Sequence, residues 1–478
     1  MISSDLLFIF YLVFVVGVTL RVIFKRQSIG ATLAWLLIIY IVPLIGAVAY
    51  FIFGEIQLGH RRAEKSEAMR EPYMRDLKRL TENMHDTDDE LPNTPLATSL
   101  QQLLHNRLGI GVLSYYDFTL ISSPQAIFDS MAADIDKAKH SIIIETYIWH
   151  SAARVNDIEA ALICAAERGV KIRILADDAG SWGFFFSNAC KKMRAADIKV
   201  VEALPVSPWR LALRRADLRL HRKVMVVDDE IAYTGSMNMA DPKVFHRKAN
   251  VGEWVDAMAR FRGAAALGLA KVFAWDWEVE TGEHYIPRMH SDKHPTQQWL
   301  GTIPSGPGLG HEVITEVMMV SIYRADKEIT ICTPYFVPPE PIFEALLQAL
   351  GRGVKVTIVL PRRNDSRLVS WASRAFYEDL LQHGADIRLF SGGLLHTKAI
   401  MIDEDFALFG SVNLDARSLQ LNFEISIALF HPASCQAVGA LVQSYLDESE
   451  SICAKRWHRR SLLVRLRERL VFFLSPLL

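Results

Sequence analysis

Two short stretches of the chain carry residues suited to chemistry at phosphorus. HRKVMVVD contains His221, Lys223 and Asp228, and HTKAIMID places His396, Lys398 and Asp403 at the same spacing. Each stretch runs on into Gly-Ser-x-Asn, as Gly235, Ser236 and Asn238 in the first and Gly410, Ser411 and Asn413 in the second. The offset is constant, since 396 − 221 and 413 − 238 both give 175. A neutral imidazole is a good nucleophile toward phosphorus, and a neighbouring ammonium supplies positive charge for phosphoryl oxygens. Two His-Lys pairs therefore provide a nucleophile, a general acid and an electrostatic clamp, with each copy holding half of one site.

This chemistry needs each pair on one face. On a strand, residues i and i+2 point the same way, so each histidine projects together with its lysine. The aspartate follows its histidine by seven residues, an odd separation that aims it at the opposite face of an unbroken strand. Spacing therefore assigns Asp228 and Asp403 to the strand-turn geometry rather than to proton transfer. Gly-Ser permits close backbone approach, and Asn238 and Asn413 carry amide hydrogens that an anion can accept. Glu253 and Glu424, further on, are expected to bond the imidazoles and set their tautomers. With Ser236 and Ser411 these residues make the supporting set.

The elements that position the two stretches repeat as well. In the first unit, 126–138 has helical spacing, 141–149 reads as a buried strand, 158–168 as a helix and 169–178 as a strand. The second unit gives a helix at 313–325, a strand at 328–336, a helix at 341–351 and a strand at 353–361. Strands alternating with helices imply an α/β fold of two pseudo-repeated α/β/α domains. Their mixed, largely parallel sheets are expected to face each other across the site. Boundaries fall at 100–295 and 296–454, after a charged helical linker over 57–99.

A mean hydropathy of +0.14 is high for a soluble enzyme, and the excess sits at the N-terminus. Residues 1–56 read as a transmembrane hairpin with spans at about 5–24 and 31–53, each long enough to cross a bilayer. The MISSD start lacks the basic residue of a signal peptide. Lys25 and Arg26 in the link are outnumbered by Arg61, Arg62, Lys65 and Arg70 after the second span, which puts the catalytic bulk in the cytoplasm. A formal charge of −1 gives no basic signature for nucleic acid. Five dispersed cysteines show no metal-ligand spacing.

HRKVMVVDDEIAYTGSMN, HTKAIMIDEDFALFGSVN and the hairpin sequence AWLLIIYIVPLIGAVAYFIFGE together resemble the phospholipase D superfamily, and within it the bacterial cardiolipin synthases of phospholipase D type. The resemblance covers nearly the whole chain. It implies a catalytic set of His221, Lys223, Asp228, His396, Lys398 and Asp403, with phosphatidyl transfer between two phosphatidylglycerol molecules giving cardiolipin and glycerol. It implies a phosphatidyl-histidine intermediate, no cofactor and no metal. Substrate and product lie in an anionic bacterial inner membrane. Hydrolysis, or transfer to another alcohol, stays open at this point, as does a non-catalytic scaffold.

Four features outside the motifs have two readings each. The segment bearing Trp209, Arg210, Arg214, Arg215 and Arg219 is either an interfacial headgroup binder or a solvated basic face. Residues 455–478 form a basic amphipathic helix, lying on an anionic membrane or packed on the catalytic body. Tyr147 and Tyr335 either line the headgroup pocket or sit in the core, and His311 either caps a helix or takes part in the chemistry.

Overall fold

The computed structural model describes residues 4–25, 29–54, 64–65, 68–69, 73, 75, 94–109, 111–206, 217–246, 249–288, 298–307 and 313–472. Most of the expected linker, the basic stretch at 209–215 and His311 lie outside the described residues.

The N-terminal unit comprises α1 (Ser4–Phe24), α2 (Ile29–Ile41), α3 (Pro43–Ala49) and a π-helical turn at Tyr50–Gly54. Val18, Val22, Trp35, Ile39, Ala47 and Tyr50 form its small core. Apolar side chains such as Phe10, Val13, Leu37, Ile41, Leu44 and Ile45 face outward. Among the described residues no helix is long and apolar enough to cross a membrane. The expected second span is not one continuous helix, because Val42 leaves helical geometry at φ −135 and ψ 76 before Pro43 opens α3. The proline ring disfavours the α conformation in the residue before it.

In the catalytic body, the first half contributes β1 (Val112–Ile121), β2 (Ser141–Thr146), β3 (Lys171–Asp177), β4 (Lys199–Ala203), β5 (Val224–Val227), β6 (Ile231–Gly235), β7 (Trp254–Val255) and β8 (Met258–Arg262). Its helices are α4 (Pro95–Leu108), α5 (Pro124–Lys137), α6 (Arg154–Glu167), α7 (Trp182–Phe185), α8 (Asn188–Ala195) and α9 (Ala264–Thr281). The second half gives β9 (Gln298–Ser305), β10 (Glu328–Cys332), β11 (Phe336–Val337), β12 (Lys355–Pro361), β13 (Asp386–Phe390), β14 (Leu394–Leu395), β15 (Ala399–Ile402), β16 (Phe406–Gly410), β17 (Leu414–Asp415), β18 (Glu424–Leu429) and β19 (Ser449–Ser451). Its helices are α10 (Val313–Arg324), α11 (Glu340–Gly351), α12 (Arg367–Gln382), α13 (Ala416–Gln420), α14 (Pro432–Asp447), α15 (Ala454–His458) and α16 (Leu462–Phe472). The repeat read from sequence is present element by element, with small shifts at the ends.

Two separate sheets are not what forms. The principal strands make one 15-stranded mixed sheet in the order β19-β13-β12-β10-β15-β16-β18-β9-β1-β8-β6-β5-β2-β3-β4. The halves join edge to edge through antiparallel β1 and β9, from Val112 opposite Gly301 to Tyr115 opposite Gln298. Each half would otherwise end in a row of unpaired backbone groups, and the join satisfies both rows. Within this sheet parallel pairing is confined to β2-β3-β4 and β10-β12-β13.

The C-terminal segment divides its two faces. Against the body, Phe472 meets Phe376 edge-on at 5.2 Å, Arg467 stacks over Trp371 at 4.3 Å, and Arg465 pairs with Glu378 at 2.6 Å. On the opposite side Leu462, Leu463, Leu466 and Leu470 are exposed.

Candidate active site

Each motif histidine is held by the other half of the body. The backbone N–H of His221 donates to the Phe423 carbonyl at 2.8 Å, just before β18, and His396 donates to the Val255 carbonyl at 2.9 Å. A parallel bridge joins Leu220 to Phe423, and β14 runs parallel to β7. The side chains repeat the exchange. Nδ1 of His221 lies 2.9 Å from Glu424 Oε2, and Nδ1 of His396 lies 2.7 Å from Asp256 Oδ1. Both imidazoles and both carboxylates are buried. An ionised carboxylate at Nδ1 fixes the proton there, leaving Nε2 of each ring with a free lone pair.

The lysines fold back in the same way in both copies, Lys223 Nζ donating to the His221 carbonyl at 2.6 Å and Lys398 Nζ to the His396 carbonyl. Burial drives the His221 imidazole down to about 4, against the pull of Glu424. Burial, reinforced by Lys398, also lowers His396. The ammonium groups are depressed chiefly by burial, Lys223 to about 7 and Lys398 to about 8. Burial opposes ionisation of Asp256, but His396, Lys398 and Ser236 outweigh it and hold the carboxyl at about 2. Lys398 acts on His221 and Lys223 on His396, so the two motifs share one electrostatic site.

Most of the supporting residues find partners. Ser411 Oγ donates to Glu424 Oε2 at 2.6 Å, and Asn422 Nδ2 donates to Oε1 at 3.2 Å. Ser236 Oγ accepts the Ala257 N–H at 3.1 Å, next to Asp256. The serines thus support the carboxylates. Asn238 accepts the Ile148 N–H at 3.3 Å, and Asn413 donates to Ser418 Oγ at 3.1 Å, so both asparagines brace loops. A Cβ at Gly235 or Gly410 would lie 2.3 Å from the carbonyl of Ala257 or Ile425, which explains the glycine before each serine.

Glu253 is a correction: its side chain is exposed, and its carbonyl, not its carboxylate, takes part by accepting the Leu394 N–H at 2.9 Å. Asp256 holds the position expected of it. The first half has more chain between its asparagine and its acid (256 − 238 = 18) than the second (424 − 413 = 11). The ladder shows the true match, since Ser236 donates to the Ala257 carbonyl and Ser411 to the Ile425 carbonyl.

The structure places the Asp228 and Asp403 carboxylates on backbone amides, as their spacing in the motif led one to expect. Asp228 accepts the amides of Lys139, His140 and Ser141 at 2.7–2.9 Å, and Asp403 accepts those of Asp326, Lys327 and Glu328 at 2.6–2.7 Å. Both residues have positive φ, 53 and 51, which aspartate tolerates better than most side chains. Each clamps a hairpin turn to the start of a parallel strand, at the end of β5 or β15 away from the histidine. Asp228→Ala or Asp403→Ala is expected to cost about 1–3 kcal/mol from the amides left unpaired. Turnover per folded molecule should stay within a few fold. Thermal unfolding beside initial rates checks this, and a large rate loss with unchanged unfolding would contradict it.

Aromatic rings close the site. Tyr147 lies 5.1 Å from the His221 ring and Trp254 lies 4.4 Å from that of His396. Tyr335 directs its hydroxyl to Asp365 at 2.9 Å. Arg222, between His221 and Lys223, is fully buried on the opposite side of the strand. There it ion-pairs with Asp276 and donates to the Glu424 carbonyl at 3.0 Å, tying His221 to its acid through the backbone. Among the described residues no group of His, Cys, Asp and Glu is disposed to hold a metal ion.

A family model described as "Cardiolipin synthase, PLD-like domain" matches residues 131–277 and 318–446, and one described as "Phospholipase_D-nuclease N-terminal" matches 9–55. Proteins named cardiolipin synthase A from Klebsiella pneumoniae (strain 342) and Yersinia pseudotuberculosis (strain PB1/+) are each 42% identical over 473 residues, covering 98% of this chain and 97% of theirs. A crystal structure of phosphatidylserine synthase from Haemophilus influenzae Rd KW20 aligns with a TM-score of 0.60 at 14% identity, over 80% of this chain and 100% of that one. At that identity the likeness is one of fold.

Proposed function

The chain belongs to the phospholipase D-like cardiolipin synthase family, and from that premise we propose that it moves a phosphatidyl group from one phosphatidylglycerol to another, making cardiolipin and releasing glycerol. The observation that carries this reading is the pair of buried imidazoles, each with Nδ1 on a carboxylate from the other half and a lysine two residues on. In our scheme Nε2 of His221 attacks phosphorus, the P–N bond forms, and the P–O bond to glycerol breaks as His396 gives that oxygen a proton. His396 then takes a proton from a hydroxyl of the second lipid, whose oxygen attacks phosphorus and breaks the P–N bond. One phosphodiester replaces another, and both histidines return to their starting state.

We assign the roles from the environments. His221, held down to about 4, is the imidazole that stays neutral and nucleophilic. His396 faces Asp256, whose negative charge supports an imidazolium. A bound phosphodiester offsets the lysine charges that depress His396 and lifts it toward its protonated form. The donors around Glu424, Ser411 Oγ and Asn422 Nδ2 on its carboxylate and Arg222 on its carbonyl, keep the nucleophile in one orientation.

We further read the N-terminal helices as a membrane anchor in the bacterial inner membrane with the body in the cytoplasm, and retain the division at 100–295 and 296–454. Support comes from the apolar sequence, the outward Phe10, Val13, Leu37, Leu44 and Ile45, and the basic residues that follow. The exposed leucines of α16, with exposed Arg469 among them, suit the same anionic surface.

Purified full-length protein given acyl-labelled phosphatidylglycerol should yield cardiolipin and one equivalent of glycerol. Phosphatidic acid as the main product would replace this reading with a hydrolase. The pH profile of kcat/KM for the free enzyme tests the electrostatics. Because burial lowers His221, falling pH should not protonate it until well below the ordinary histidine value, so the acid limb lies nearer 4 than 6.5. Rising pH first removes the proton that His396 must give to the leaving glycerol, and since burial lowers His396 this alkaline limb lies below the 7 to 8 at which the lysines lose their charge. An acid limb at 6.5 would contradict the burial argument.

A further inference from the structure

We infer that the loop and helices following β3 form an aromatic and cationic wedge that seats the active-site mouth in a phospholipid surface. The segment Ser181–Phe186 splits its aromatics by side. Phe184 stacks on buried Trp149 at 4.8 Å and Phe185 is buried beside it, so the inner face of α7 is fixed to the core. Trp182 and Phe186 point the other way, 65% and 68% exposed, with their rings 5.2 Å apart. Two large aromatics held outward by two buried ones are anchored, not loose, so their exposure is built into the fold. Leaving such area in water is unfavourable unless something covers it.

The wedge is joined to the chemistry by short links. Asp177, the last residue of β3, accepts the Gly180 N–H and the Leu220 N–H, each at 2.9 Å, so one carboxylate holds both the wedge loop and the residue before His221. Ser181 Oγ donates to the Tyr147 carbonyl at 3.0 Å and accepts the Trp149 N–H at 2.9 Å. Tyr147 in turn faces the His221 ring at 5.1 Å. A Cβ at Gly180 would lie 2.2 Å from the Tyr147 carbonyl, so this approach requires glycine.

Charge identifies the occupant. Lys191 and Lys192, five and six residues after Phe186, are exposed on α8. Exposed tryptophan and phenylalanine followed by exposed lysines on the next helix match the boundary of an anionic bilayer, where rings sit at headgroup depth and ammonium groups meet phosphates. A lipid surface also explains the position, because a wedge beside Tyr147 shortens the path of a phosphodiester from the headgroup layer to His221. The inference rests on the lipid-substrate reading above.

The test uses full-length enzyme reconstituted in vesicles of phosphatidylglycerol diluted in phosphatidylcholine, beside a monomeric short-chain phosphatidylglycerol in solution. Trp182→Ser with Phe186→Ser should raise the mole fraction of substrate needed for half-maximal rate by at least about tenfold, with kcat on the short-chain substrate unchanged. Lys191→Glu with Lys192→Glu should produce a smaller rise that vanishes in high salt. In vesicles of brominated lipid, wild type should show more tryptophan quenching than Trp182→Phe. Vesicle kinetics equal to wild type, equal losses on both substrates, or no difference in quenching would each overturn the wedge. Wild type that makes no cardiolipin from either substrate would instead sink the parent reading, and the quenching comparison would still judge the wedge.

Discussion

His221→Ala and His396→Ala are each expected to lower cardiolipin formation by at least about 10³-fold, the scale seen when a nucleophile or its proton-transfer partner is removed. Both rings lie in the body's interior with one nitrogen committed to a carboxylate, so alanine removes the nucleophile or the acid without supplying a substitute. The two losses differ in kind, which gives a way to tell the roles apart. A phosphatidyl ester of p-nitrophenol has a leaving group that needs no proton. With that donor, His396→Ala should still form the P–N bond and should accumulate acid-labile phosphatidyl label on the protein, because deprotonation of the acceptor is now slow. His221→Ala should take up no label. Label on His221→Ala and none on His396→Ala would reverse the assignment, and near-normal synthesis by either variant would remove the covalent scheme. Because each imidazole is half of an ion-paired unit, its loss also strands a buried carboxylate, so each variant should be checked for folding by circular dichroism before its rate is interpreted.

What the sequence made legible was local. The His-Lys parity on one strand face, the glycine before each serine and the alternating helices and strands are all set by neighbours within a few residues, and the structure has them. What stayed hidden depends on chain separated by a hundred residues or more. Leu220 bridges Phe423 and Leu394 bridges Trp254, and no periodicity within either segment encodes that exchange. The join through β9 was obscured for a different reason: Pro304 sits in this central strand, opposite Ile425, where a proline argues against a strand being central at all. The acid of the first half is Asp256 and not the expected Glu253 because the loop after Asn238 is longer than its counterpart after Asn413, so position along the chain does not carry over between the halves. The alternation Asp256, Ala257, Met258 against Glu424, Ile425, Ser426, read as paired strands after Gly-Ser, is the signal that would have found it. For the aspartates, parity pointed away from the site and the structure agrees, although the signature places them in the catalytic set.

The crossed carboxylates make the second large prediction, and it bears on why the motif is duplicated. Asp256→Asn and Glu424→Gln keep size and shape but replace an obligate acceptor with a group that can donate to Nδ1. The imidazole can then carry its proton on Nε2, the atom that must attack phosphorus or receive the acceptor's proton. Removing the charge also withdraws the support that an imidazolium needs in this buried setting. By the analogous tautomer effect in serine hydrolases, each variant is expected to lose about 10²- to 10⁴-fold in kcat with a much smaller change in KM. The pH profiles should separate the pair. Asp256→Asn weakens the group that holds His396 protonated, so His396 should give up its proton at lower pH and the optimum should move toward acid. Glu424→Gln also leaves Ser411 Oγ and Asn422 Nδ2 without their carboxylate, so it should be the more destabilising of the two. Rates on both variants, at matched folded fractions, give the answer. If either retains wild-type kcat, the carboxylate is only a packing partner. If both fall as expected, neither half can run the chemistry alone, because each histidine takes its tautomer from an acid that only the other half provides.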